Sequence, residues 1–166
     1  MIPYDFRPAT MKDLPLLRRW QDLPHVQAWW DGEDPFDAAD LADPRVAFWI
    51  VSHQGRPFAF LQDYALHVSG PHPLDPLPPG SRGIDVYIGE PGMTGQGHGT
   101  ALLRQHIDRL LAAGVPAIGI DPHPDNARAI ATYRRLGFRP IGPVQDTDWG
   151  PALPMALAFT PQSHPI

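Results

Sequence analysis

The chain contains no cysteine. That absence excludes a disulfide scaffold, thiolate metal sites, and any covalent route through an acyl-cysteine. Lysine is almost missing as well, Lys12 being the only one, and no apolar stretch is long and charge-free enough to read as a membrane span. The N-terminal MIPYDFRPAT has no apolar run of signal-peptide length, so a cytoplasmic compartment is the expectation. The eight histidines are scattered and lack HExxH or comparable spacing, so no metal site is expected. With 15 glycines and 22 prolines in 166 residues, the chain stays below the roughly 25 to 30% of low-complexity segments. A single globular domain of this length can bury roughly 70% of its unfolded surface.

The formal net charge of −5 argues against a nucleic-acid partner, and its distribution carries more information. Asp22, Asp31, Glu33, Asp34, Asp37, Asp40 and Asp43 crowd residues 21–44 without a Lys or Arg, whereas arginines outnumber aspartates between residues 92 and 139. One half could face a cation and the other an anion.

Thr10 and Asp13 are spaced as a helix cap, with an apolar stripe of Met11, Leu14, Leu16 and Leu17 running on until Pro24. A short second helix is expected over His25 to Trp30. Val46 to His53 and Phe58 to Leu66 read as a hairpin around Gln54-Gly55-Arg56-Pro57. The proline-rich Ser69 to Ser81 can only be a loop. Arg82 to Ile88 puts Ile84, Val86 and Ile88 on one side and Asp85 and Tyr87 on the other, a strand with two distinct faces. Leu103, Ile107, Leu110 and Leu111 predict a helix ended by Gly114, and Ala117 to Asp121 a short strand. A last helix runs from its cap at Asn126 to Leu136, with Gly137 ending it, and strands over Phe138 to Val144 and Leu153 to Phe159 close the domain. A first strand near Tyr4 to Arg7 completes a mixed α/β set of elements.

Between a predicted strand and a predicted helix lies Thr94-Gly95-Gln96-Gly97-His98-Gly99-Thr100. The dinucleotide fingerprint G-x-G-x-x-G fails because position 100 is Thr, and a Walker A loop fails for lack of Gly-Lys-Ser/Thr. Two readings stay open: a loop whose N–H groups hold a pyrophosphate without lysine or metal, and a tight strand-to-helix turn.

Gly97-x-Gly99, followed by Asn126-x-Arg128-Ala129-Ile130-x-x-Tyr133-x-x-x-Gly137-Phe138, resembles the GNAT acetyltransferase superfamily. Within it, Pro24-His25-Val26, Trp29-Trp30, Gln62-Asp63-Tyr64, Arg82-Gly83-Ile84-Asp85, Asp121-Pro122-x-Pro124-x-Asn126 and Gly150-Pro151-Ala152 look most like the aminoglycoside 6'-N-acetyltransferases. The resemblance implies an α/β fold with a mostly antiparallel central sheet splayed at a parallel strand pair and helices on both faces. It further implies acetyl-CoA in the splay, with its pyrophosphate on the N–H groups of Gly95, Gln96, Gly97, His98, Gly99 and Thr100. The pantetheine arm would run beside Tyr87 and Ile88, and Asn126 would bond near the reactive end.

Acetyl transfer to an amine requires a base for the ammonium, donors for the developing oxyanion, and a proton for the departing thiolate. Asp85 resembles the family's base, and Tyr133 its general acid, also in contact with the cofactor. The alternatives are a polar residue on a solvated strand face and a buried tyrosine with its hydroxyl bonded. A phenol of pKa about 10 protonates a thiolate of about 8.5 only with help from its surroundings. Trp29, Trp30, Tyr64, Asp85 and Asp121 resemble residues lining the acceptor cleft, with Asp148 standing beside Trp149 where the aminoglycoside enzymes usually carry Asp. The expected acceptor is a small cationic amine, foremost the 6'-amine of an aminoglycoside. An N-hydroxylysine-type siderophore precursor and a non-catalytic acyl-CoA-binding module are the alternatives. No metal, nucleic acid or membrane partner is expected, and the assembly is expected to be a monomer or homodimer.

Overall fold

The computed structural model describes residues 3–30, 32–68 and 70–157. After β1 (Asp5–Pro8), Thr10 and Asp13 form a reciprocal capping box and open one 3-10 turn that leads into α1 (Leu14–Gln21). The second helix, α2 (Pro24–Gln27), is shorter than expected, because the chain from Ala28 to Trp30 bends as turns rather than completing another helical turn. A third helix, α3 (Ala38–Ala42), escaped the sequence reading. Its signal was a second capping box between Asp37 and Asp40, placed ahead of too few apolar residues to show a period.

β2 (Val46–His53) and β3 (Arg56–Ala65) make the expected hairpin, tightened to a two-residue turn by positive φ at Gln54 and Gly55. β4 (Arg82–Ile88) has the expected bounds, α4 (His98–Ala112) follows the glycine loop, and β5 (Ile118–Ile120) leads to α5 (Ala127–Leu136). The expected strand over Phe138 to Val144 reduces to β6 (Arg139–Pro140). Pro140 lacks an N–H and Gly142-Pro143 breaks the extended run. An unexpected small hairpin follows, β7 (Gln145–Thr147) and β8 (Gly150–Ala152), before β9 (Met155–Leu157). The last residues of that expected final strand, Ala158 and Phe159, lie outside the described residues.

The main sheet has seven strands in the order β1-β2-β3-β4-β5-β9-β6. All its pairs are antiparallel except β4 with β5. On one face Phe48, Ile50 and Phe60 pack against Leu14, Leu17 and Trp20 of the α1 region. On the other, Val51, Leu61 and Ile84 pack against Leu102, Leu103 and Ile107 of α4 and Tyr133 and Leu136 of α5. Strand alternation thus feeds two cores from one sheet, and burial of large side chains on both sides makes the sheet a rigid frame. The parallel pair is joined only at Arg82↔Ile118 and Gly83↔Gly119. Beyond Gly83 the two strands part, and among the described residues the opening between them leaves β4 without a partner strand on that side, within the sheet rather than at its rim.

Candidate active site

A cleft of about 1250 Å³ opens where β4 and β5 separate. At one end lies the glycine loop. Gly95 and Gly97 adopt left-handed φ of 70° and 84°, a conformation that costs other residues energy, and this curls the chain into the N-terminus of α4. Among the described residues, the six N–H groups from Gly95 to Thr100 have no protein acceptor, with bonding resuming at Ala101, which donates to Gly97. Unpaired N–H groups converging at a helix N-terminus suit an anion. A cation adds to them, since a Cβ built on Gly95 would stand 2.8 Å from the Arg128 guanidinium of α5. This favours the anion-holding loop over the bare turn. Arg128 was visible in the Asn126-x-Arg128 motif but had not been singled out. Gln96 turns its side chain to the Gly92 carbonyl. His98 faces the other way, bonding the Tyr4 hydroxyl at 2.8 Å and packing on His53 and Phe58, so neither lines the cleft.

The middle of the cleft is the edge of β4. Gly89 N–H donates to Phe58 at 2.8 Å and Arg82 N–H to Ala117 at 3.2 Å. With the β3 register this turns odd-numbered backbone groups toward β3 and even-numbered ones toward β5. Tyr87 therefore pairs with Phe60, and beyond the short pairing with β5 the open backbone groups belong to Val86 and Ile88. The Ile88 carbonyl accepts from His25 Nε2 at 3.0 Å, so a ring on α2 fixes the end of this edge, a role the Pro24-His25-Val26 motif carried without disclosing. Asn126 accepts from Ala129 N–H at 3.2 Å through Oδ1 as the cap of α5, leaving its amide nitrogen for a ligand in the cleft it lines.

Asp85, Asp121, Tyr64 and Tyr133 stand together in the other half. Asp85 projects from β4 beside Gln62, whose Nε2 donates to it at 2.7 Å. Burial pushes its carboxyl up to about 6, with the Gln62 bond opposing. Asp121, just past β5, is pushed up to about 7 by burial and by the charge of Asp85, while a bond from Trp149 Nε1 at 3.1 Å pulls the other way. The hydroxyls of Tyr133 and Tyr64 are raised by burial and then by those two carboxylates, so both stay protonated at neutral pH. Two carboxylates with few donors form an acidic pair, an arrangement that suits a cation.

Trp29, half exposed, and Trp30 line the cleft from the α2 side, where Trp30 stacks edge-on against Tyr87 and Trp29 on His123. Asp148 sits on the exposed turn of the β7–β8 hairpin outside the lining, and its neighbour Trp149 reaches the cleft in its place. Among the described residues no three His, Asp or Glu side chains group to hold a metal ion, and no helix is long and apolar enough to cross a membrane.

A family model for the acetyltransferase (GNAT) domain matches residues 9–146. The chain is 33% identical over 161 residues to an aminoglycoside N(6')-acetyltransferase type 1 of Klebsiella pneumoniae, covering 90% of this chain and 80% of that protein. It superposes on aminoglycoside acetyltransferase AAC(6')-Ib in complex with coenzyme A and kanamycin with a TM-score of 0.79 at 31% identity, covering 93% of this chain and 94% of the other. A mycothiol acetyltransferase of Parafrankia sp. is 30% identical over 66% of the chain, which spans 34% of that longer protein.

Proposed function

The chain belongs to the GNAT acetyltransferase family, and on that premise we propose that it transfers the acetyl group of acetyl-CoA to the 6'-amine of an aminoglycoside. The observation that carries this reading is the pairing of a row of N–H groups without protein acceptors on the glycine loop with an acidic pair at the far end of the same cleft. One end suits a diphosphate and the other a polycationic sugar. The similarity to an aminoglycoside N(6')-acetyltransferase over nine-tenths of the chain supports the same acceptor.

Acetyl-CoA supplies an activated acyl group, and the residues present fit it. The loop amides and Arg128 hold the pyrophosphate, and the even-numbered edge of β4 runs beside the pantetheine arm. Asp85 and Asp121 bind the acceptor's ammonium, whose charge removes their mutual repulsion and favours both ionised forms. Asp85 then takes a proton from the nitrogen, directly or through a water, and the freed lone pair attacks the thioester carbonyl. The Val86 and Ile88 N–H groups, on the open edge, are the donors for the charge that develops on the carbonyl oxygen. The new N–C bond forms as the C–S bond breaks, and Tyr133 gives its proton to the departing sulfur. His25, holding the Ile88 carbonyl, keeps the peptide at that point from rotating.

Release of free CoA thiol from acetyl-CoA, followed with a thiol reagent, tests this directly because the chain has no cysteine of its own. Turnover with kanamycin and tobramycin, lost with an analogue carrying a 6'-hydroxyl, is the expected result. Silence with both antibiotics and turnover on lysine or N-hydroxylysine would overturn the acceptor and keep the chemistry.

A further inference from the structure

Two features border the acceptor half of the cleft: the proline-rich loop before β4, and a tryptophan at position 149 where the pattern the chain resembles usually carries Asp. They meet in space. Leu74 and Leu77 of the loop are fully buried with Ala117 and Ala156. They can pack so closely on β5 because residue 119 is glycine, where a Cβ would come within 2.7 to 2.9 Å of both leucines. His72 is fixed by its own turn, accepting from Leu74 N–H at 3.1 Å and donating its N–H to Asp75 at 2.8 Å. Its ring lies 5.4 Å from that of Trp149, at 30°. From the other side the hairpin turn is tied by Thr147, which accepts from Trp149 N–H at 3.2 Å and donates to the Gly150 carbonyl at 2.6 Å. The indole held between these supports bonds Asp121 Oδ2 at 3.1 Å, and the residue stays 53% exposed.

Resting on the acetyltransferase reading above, we propose that Trp149 is a positioning residue of the acceptor site: its indole N–H, braced by His72 of the proline-rich loop, holds Asp121 ready to receive the acceptor's ammonium. Among the described residues no other side chain donates a hydrogen bond to that carboxylate. The groups around it are Asp85 from β4, Tyr64 from β3, Tyr133 from α5 and His72 from the loop. The aspartate repels its charge, and the tyrosines carry none at neutral pH. Beside a bond from the residue's own backbone, Trp149 is therefore the one side chain among the described residues that favours the anion by a hydrogen bond, until a cation arrives. The same bond fixes which oxygen is left for the ligand, since Oδ2 is taken.

Trp149→Phe keeps the ring and removes the donor. It should raise the KM for kanamycin about tenfold, as expected for a lost hydrogen bond to a charged group, with kcat within about twofold and the KM for acetyl-CoA unchanged. The acid limb of kcat/KM should move to higher pH, and His72→Ala should reproduce part of both effects. Independently of turnover, the indole N–H resonance that disappears in Trp149→Phe, one of five in the wild-type spectrum, should shift with pH as Asp121 ionises, near 7. A wild-type kanamycin KM and acid limb in the phenylalanine variant would overturn the proposal, as would an indole resonance that ignores pH across that range. Should no aminoglycoside be a substrate, the acceptor reading fails alone and the resonance still decides the Trp149–Asp121 bond.

Discussion

Asp63 and Asp85 belong to the paired strands β3 and β4 but project from opposite faces of the sheet, and their surroundings could hardly differ more. Asp63, paired in register with Ile84, accepts from Trp49 Nε1 at 2.9 Å, Arg82 Nε at 2.6 Å and His106 Nε2 at 2.9 Å. Arg109 caps the cluster, donating to His106 at 2.8 Å and lying over the rings of Phe6 and Trp49. Burial alone would raise this carboxyl, but the bonds from His106 and Trp49 and the neighbouring positive charges hold it below its ordinary value. Among the described residues Asp85 has a single side-chain donor, Gln62, and rises to about 6. The same residue type on the same strand pair is thus made permanently anionic where it joins β3, β4 and α4, and left able to exchange a proton where the cleft opens. Supply of donors, more than burial, separates a carboxylate held in its charged form from one able to exchange a proton.

Exchanging each acid for its neutral amide or for alanine breaks the comparison in two different ways. The largest effect is expected for Asp85→Asn, with kcat/KM falling by about 10²- to 10⁴-fold, the KM for acetyl-CoA unchanged and the fold retained, as steady-state kinetics and circular dichroism would report. Asp63→Ala should do the converse. It strands Arg82 and a fully buried His106, costing about 3 to 5 kcal/mol in urea unfolding, while molecules that remain folded keep a near wild-type turnover.

Asp121→Asn sharpens the contrast through pH. Asp121 holds a proton up to about 7 when folded and only to about 4 when unfolded. Between those values the folded state binds the extra proton, so stability falls as pH rises through the window and the penalty is complete above it. Removing the charge should raise the Tm by about 3 °C or more at pH 8, with the gain vanishing at low pH, even as acceptor binding is lost. The smallest effect belongs to Gln62→Leu. Without the Gln62 donor Asp85 should titrate higher, moving the acid limb of the pH–rate profile up by about half a unit to one unit; an unmoved limb would mean that Gln62 does not tune Asp85.

Much of this arrangement could be read from the sequence where the signal is local. β2 is a run of β-branched and aromatic residues and β4 an alternation clear enough to give their bounds, and the capping residues Thr10, Asn126 and Gly137 mark helix ends through backbone chemistry that needs no tertiary context. The C-terminal quarter resisted because Pro140, Gly142 and Pro143 cut the strand pattern into pieces too short to show a period. In the site, Asp85, Tyr133 and the glycine loop were legible as motif positions. Tertiary geometry decided the rest. Backbone parity moved the open edge from Tyr87 to Val86 and Ile88, the Tyr4 hydroxyl drew His98 away from the cleft, and the small hairpin brought Trp149 rather than Asp148 to Asp121.

The most direct test follows the side-chain carboxyl carbons of ¹³C-aspartate-labelled protein through a pH titration, with and without kanamycin. The account predicts that Asp85 and Asp121 titrate near 6 and 7, that Asp63 titrates below 3.8, and that kanamycin lowers the first two and leaves Asp63 unmoved. Three aspartates titrating together in the ordinary range, or an antibiotic that moves none of them, would contradict it.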